Sequence, residues 1–312
     1  MTEIDLAAQA RITRHIAETI GARTAQVSAA VALLDEGATV PFIARYRKEV
    51  TGGLDDTQLR NLQELLIYGR ELEERRAAVI ASVEEQGKMT EELRQAFEAA
   101  DTKQRLEDLY LPYKPKRKTR AQAAVAAGLE PLADKLWKNP GLDPQAEAQA
   151  FVSADKGVAD TKAALDGARD ILAERFAENA DMLEMLRAWL WKHAFIVSSV
   201  DEAKKATPEA ANFRDYFDYS EALNEVASHR ALALFRGRQE GVLTLKMLLT
   251  EEEEALPVHP CQKLIADFLG WHDEGRAADQ WIASVIRWTW RVKCLTTCLL
   301  YTSPSPRDRS LS

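Results

Sequence analysis

The stretch from Thr57 to Glu85 constrains this chain most, because its apolar residues return at a helical period. Leu59, Leu62, Leu66, Leu72 and Val79 line one face, while Glu and Arg crowd the others. Asp55 or Asp56 supplies a capping side chain, and Gly52-Gly53 interrupts the segment before it. A charged helix of this length leans on other helices over part of its course, so the surrounding sequence is expected to be helical. Composition agrees: alanine, leucine, glutamate and arginine dominate, and β-branched runs are few. The class is therefore mainly α.

The flanking segments follow the same pattern. Ile12, Ile16 and Ile20 recur every four residues, which predicts an amphipathic helix over 5–20. Thr24 is placed to cap a second helix that Gly37 ends. Thr90 and Thr102 each begin a short helix, and Gly128 joins helices over 121–127 and 132–137. Asn139-Pro140-Gly141 is a turn and a candidate subdomain boundary. Helices are predicted over 144–151, 158–178, 181–193, 260–271 and 277–291, with Ser228 capping one that ends near Arg236-Gly237. The short helices and tight turns from Ala121 to about His193 have a helix-turn-helix layout. Leu243, Leu245, Met247 and Leu249 alternate at period two, which makes 242–249 the one short strand region expected. Glu251 to Glu254 reads as a solvated acidic turn.

The 312 residues are 46% hydrophobic and 29% charged, enough for a packed core, with a formal net charge of -8. Against that acidic background, five of the seven residues from Lys114 to Arg120 are basic: Lys114, Lys116, Arg117, Lys118 and Arg120. They follow Tyr110-Leu111-Pro112-Tyr113-Lys114-Pro115, whose prolines predict an extended, exposed strap. A dense cationic segment on an anionic chain suits a polyanion such as RNA or DNA, bound through phosphates, with Tyr110 and Tyr113 available to stack on bases. The alternatives are a basic loop neutralised by acidic helices, and tyrosines packed beneath the strap. Arg45, Arg47 and Lys48 form a second cluster, which Glu49 and the long helix could instead neutralise. Arg230, Arg236 and Arg238 form a weaker third, spread around one helix.

Catalytic signatures do not appear. No glycine-rich phosphate loop or HExxH is present, and the five histidines are scattered. His259, Cys261 and His272 come nearest to a metal cluster, without ligand spacing. Ser228-His229 reads as a cap rather than a catalytic pair. No cofactor and no metal are expected. Three cysteines without a disulfide framework fit a reducing cytoplasm. No apolar stretch approaches the ~20 residues of a membrane span, so no membrane partner is expected. The N-terminus lacks a signal-peptide core.

Three long segments carry a family resemblance: GATVPFIARYRKEVTGGLDD (37–56), DLYLPYKPKRKTRAQAA (108–124) and SHRALALFRGRQEGVL (228–243). With GARDILAER (167–175) and FRDYFDYSE (213–221), they resemble the Tex family of bacterial RNA-binding transcription accessory proteins, over roughly 1–293. The resemblance implies an elongated, helical, non-catalytic N-terminal region containing a helix-turn-helix-like subdomain. It also implies RNase H-like, helix-hairpin-helix and OB-fold domains that lie outside these residues. Partners implied are nucleic acid, the transcription machinery and those downstream domains; a protein-interaction scaffold is the rival reading. The expected division is 1–140, 141–293 and a tail, 294–312. Trp281 and Trp288 share a helical face suited to packing on a downstream domain. Cys298 to Asp308 is the direct translation of a nucleotide string resembling a transposase-type sequencing-library adapter. The tail from Cys294 is therefore expected to be non-native and without amphipathic period.

Overall fold

The computed structural model describes residues 6–115 and 119–301. Within it the chain forms two compact units that part between Tyr110 and Leu111. Both are built mainly from α-helices, and the turn at 139–141 lies inside the second.

The first unit contains α1 (Leu6–Ile20), α2 (Thr24–Asp35), α3 (Val40–Tyr46), α4 (Asp56–Glu85), α5 (Glu91–Ala99) and α6 (Lys103–Tyr110). Helix α4 is the spine. Asp55 accepts the Gln58 amide N–H at 2.7 Å, and the Gln58 side chain accepts the Asp55 N–H at 3.1 Å. The Gln58 side-chain Nε2 donates to the Ile20 carbonyl at 3.1 Å, which ties the end of α1 to the start of α4. Leu59, Leu62, Leu65 and Leu66 bury against Ile12, Ile16, Val27 and Ile43. Thr90 caps α5 and Thr102 accepts the Arg105 N–H, as their placement predicts. Thr24 does not cap α2. It is the first helical residue, and the Arg23 N–H before it is held by the Gln26 side chain at 3.0 Å.

Farther along the spine a polar cluster is buried. Arg76, 5% exposed, bonds Glu73 at 3.2 Å. It also donates to the carbonyls of Phe97, Glu98 (2.8 Å) and Ala100 (2.9 Å). These are carbonyls at the end of α5 that the helix itself leaves without partners. Arg11 from α1 closes the cluster with paired bonds to Glu73 at 2.7 and 3.1 Å.

The second unit runs through α7 (Arg120–Ala126), α8 (Glu130–Lys138), α9 (Pro144–Gln149), α10 (Thr161–Ala177) and α11 (Ala180–His193). Next come β1 (Phe195–Val200), β2 (Asp218–Ala222), α12 (Ser228–Gln239), β3 (Leu243–Leu248), α13 (Glu251–Glu254) and α14 (Pro260–Phe268). Helices α15 (Asp279–Trp288) and α16 (Leu295–Tyr301) finish it, joined by a π-helical turn at Thr289–Cys294. Helix α10 is central: Ala164, Leu165, Ala168, Ile171, Leu172 and Phe176 are buried, and α7, α8, α9 and α15 pack on it. The sheet is antiparallel in the order β2-β1-β3, with Phe195 opposite both Ala222 and Leu248. Alternate residues Leu243, Leu245 and Met247 of β3 are buried, as their period requires. Gly237 of α12 meets this strand so closely that a Cβ there would lie 2.6 Å from the Leu243 side chain.

Further expectations change. Strands β1 and β2 join the single strand read from the sequence. Ser228 is the first residue of α12, with Ala227 at the cap position, so it does not cap that helix. The strap does not begin at Tyr110, which ends α6 and is buried, its hydroxyl 3.0 Å from Ser82 Oγ. Within the stretch expected as a non-native or disordered tail, residues 295–301 are helical, and Cys294, Cys298 and Leu299 join the core of the second unit.

Candidate nucleic-acid interface

Of the three basic clusters, the one at α3 is the most open. Arg45, Arg47 and Lys48 are all exposed, and among the described residues none of them forms an ion pair, with Glu49 or with α4. Their backbone is fixed nonetheless. The buried Thr51 hydroxyl donates to the carbonyls of Arg47 and Lys48, both at 3.3 Å, and the Gly53 N–H donates to Lys48 O at 2.8 Å. Gln26 holds the Gly52 carbonyl at 2.8 Å, and Gly52 and Gly53 take φ of 62° and 89°, which the turn out of α3 requires. Short side chains thus hold much of the loop's backbone, while Arg47 donates to the Tyr46 carbonyl at 3.2 Å and Arg45 and Lys48 extend from an exposed surface. Two aromatic residues share this surface: Phe42 is 41% exposed and Tyr46 61%.

At the strap, Tyr113 is half-buried and Lys114 exposed. Lys116, Arg117 and Lys118 lie outside the described residues. Arg120 is exposed as the first residue of α7. Thr119 caps that helix by accepting the Gln122 N–H at 3.0 Å, and its hydroxyl donates to Glu174 at 3.1 Å. Glu174 also pairs with Lys293 at 3.0 Å, so one half-buried carboxylate joins α7, α10 and the π-helical turn. Tyr110, expected to stack on bases, is not free to do so. Besides its burial, the Arg75 guanidinium lies 5.4 Å from its ring centroid.

In the third cluster Arg236 is exposed in the last turn of α12, and Arg238 is half-buried with one guanidinium nitrogen sealed and unbonded. Arg230 is occupied: it forms paired bonds with Glu221 of β2, one at 3.0 Å. Tyr219 donates to the same carboxylate. Burial, reinforced by that bond, pushes the Tyr219 phenol up to about 12. The three residues therefore do not act as one patch.

His259 and Cys261 are engaged in packing. His259 Nδ1 accepts the Cys261 N–H at 3.1 Å, and its ring stacks on Trp290 at 5.2 Å. Burial lowers the His259 pKa and raises those of Cys261 and Cys294. Among the described residues, no group of three His, Cys, Asp or Glu side chains is placed to hold a metal ion. No helix among them is long and apolar enough to cross a membrane. Trp288 is half-buried beneath the Arg169 guanidinium, 4.0 Å from its ring centroid, so part of the face it shares with Trp281 is internal. Sequence reasoning missed Phe42 and Tyr46, whose signal was their position four residues apart beside Arg45.

A mainly α chain with a small antiparallel sheet and solvent-facing cationic segments is the class these features define. The description "Tex-like protein N-terminal domain" matches residues 10–84, and "Tex central region-like" matches residues 139–300. The chain belongs to the Tex family. The central-region match reaches into α16, in keeping with its packed side chains. Protein YhgF of Escherichia coli is 58% identical over 283 residues, covering 90% of this chain and 36% of the relative. Transcriptional accessory protein Tex of Neisseria gonorrhoeae is 50% identical, with the same coverage of 90% and 36%. The human S1 RNA-binding domain-containing protein 1 is 32% identical over 227 residues, 71% of this chain and 22% of the relative. The chain thus spans just over a third of the length of its bacterial relatives.

Proposed function

We propose that this chain is a helical, non-catalytic scaffold within a cytoplasmic, nucleic-acid-binding transcription accessory protein, and that it contacts phosphates through its basic segments. The observation that carries this reading is the trio Arg45, Arg47 and Lys48, exposed and, among the described residues, without ion pairs on a chain of net charge -8. Cations left unneutralised there are available to a polyanion, and their contacts are phosphate contacts, weakly selective for sequence and steeply salt-dependent. The names of two relatives, one a transcriptional accessory protein and one carrying an S1 RNA-binding domain, support the assignment. Lys114, Lys116, Arg117, Lys118 and Arg120 with Tyr113 form the second contact in this reading, and Arg236 and Arg238 a minor third. The helix-turn-helix-like run of α7 to α11 carries the strap. In the test, RNA and DNA binding by the full chain is measured across a salt series. Charge reversal at Lys116, Arg117 and Lys118 flattens the slope without changing helicity; an unchanged slope removes the strap as a contact.

One observation favours a second reading, a surface for protein partners such as the transcription machinery or the family's downstream domains. In the second unit Leu256, Val258 and Val292 are about half exposed, and Leu256 lines a pocket of 620 Å³ with His259, Arg287, Trp290 and Arg291. A chain that binds no RNA at low salt yet captures separately produced downstream domains would favour that reading.

A further inference from the structure

We infer that the exposed face of α3 is a stacking platform for unpaired bases, so that this site selects single-stranded over duplex nucleic acid. The inference rests on the reading of Arg45, Arg47 and Lys48 as phosphate contacts and adds the class of strand they serve. Phe42, Arg45 and Tyr46 stand at i, i+3 and i+4 of one short helix, which puts them on one face. The Phe42 and Tyr46 rings lie 5.4 Å apart at 46°, and the Arg47 guanidinium sits 5.4 Å from the Phe42 centroid. Phe42 therefore has two neighbours already, and Tyr46 presents the more open ring.

Single exposed aromatics need no explanation, but two in contact, among three cations that no carboxylate of the described residues neutralises, match a specific ligand. A single strand offers what this surface lacks: phosphates for the guanidinium and ammonium groups, and apolar base faces for the ring. A duplex offers the phosphates alone, since its base faces are stacked on one another. An acidic peptide would satisfy the cations and leave the ring face wet. The surface is also held in place before any ligand arrives, because Thr51, Gln26 and the Gly52-Gly53 turn fix the backbone beneath it. The entropy of ordering the loop is therefore spent in folding rather than in binding.

The experiment compares Tyr46→Ala and Tyr46→Phe with the unmodified full chain. Fluorescence anisotropy follows a labelled single-stranded RNA, the same strand as DNA, its duplex, and polyglutamate. Tyr46 is mostly exposed, so its replacement leaves the fold intact, as circular dichroism checks. The expected result is a roughly tenfold loss of single-strand affinity in Tyr46→Ala, restored in Tyr46→Phe, with duplex affinity within about twofold of the unmodified chain. Comparable losses for RNA and DNA single strands are part of that expectation, because base faces and phosphates are common to both. Equal losses for single strand and duplex, or none for either, with salt-dependent binding intact, would overturn the platform and leave the phosphate reading standing. Binding of polyglutamate but of no nucleic acid would overturn both.

Discussion

Arg76 and Arg45 belong to the same unit and are the same residue type, yet they meet opposite fates. Where α4 meets the end of α5 every nitrogen of the Arg76 guanidinium is bonded, to Glu73 and to carbonyls at the end of α5. At the end of α3 the loop's carbonyls are held by Thr51, Gln26, Arg47 and one another, and Arg45 forms no ion pair among the described residues. The contrast teaches that the availability of a cation is decided by whether nearby carbonyls and carboxylates are already paired. The number of charges in a stretch of sequence does not decide it.

If the contrast is real, stability should respond in a graded order. Arg76→Ala should cost about 3–5 kcal/mol in urea unfolding, because it strands buried Glu73 and several carbonyls. Nucleic-acid binding per folded molecule should stay unchanged; a loss under 1 kcal/mol would break the comparison from its sealed side.

The next effect belongs to Asp279, 1% exposed in the second unit, which accepts bonds from the Arg276 side chain, the N–H groups of Arg276 and Glu274, and Trp271 Nε1. These partners, Arg276 foremost, hold its carboxyl well below the usual carboxylate range. A depressed folded-state pKa contributes stability above the unfolded value of about 4 and loses it as pH falls. Asp279→Asn should cost about 2 kcal/mol at neutral pH and flatten the acid limb of a pH–stability curve. A parallel acid limb would refute the assignment.

Tyr219 should give a smaller, opposite response. Its folded pKa of about 12 exceeds the unfolded value of about 10, so its contribution is full below pH 10 and is lost between 10 and 12. Tyr219→Phe should remove that part of the alkaline decline; a decline of unchanged shape would contradict it. Smallest of all, Arg45→Glu with Lys48→Glu should move stability by less than about 0.5 kcal/mol. A larger loss would mean these side chains have structural partners after all.

Much of the helical frame was legible because its signals are local. Asp55 and Thr90 sit where a cap must sit, and Leu59, Leu62 and Val79 recur at the helical period. Strand β2 was not legible: its sequence, DYSEA, is polar because the strand pairs on one side only and is half exposed. Strand β1 is β-branched, but it follows α11 after a single residue, Ala194, with no turn to announce it. The fate of each arginine was hidden for a different reason. Glu73 meets Arg11 and Glu221 meets Arg230 only after the chain folds, and no spacing in the sequence foretells those pairs. In the stretch from Cys294, which reads as translated adapter over Cys298 to Asp308, Cys294 and Cys298 bury their side chains at a helical spacing of four.

The most direct test of the central claim is the salt dependence of single-stranded RNA binding by the full chain and by Arg45→Glu with Lys48→Glu. Open cations on α3 predict a steep linear fall of log affinity with log salt. The double variant should show a slope shallower by about 1.4, which is about 0.7 for each phosphate it no longer neutralises. Identical slopes in the two proteins would contradict it.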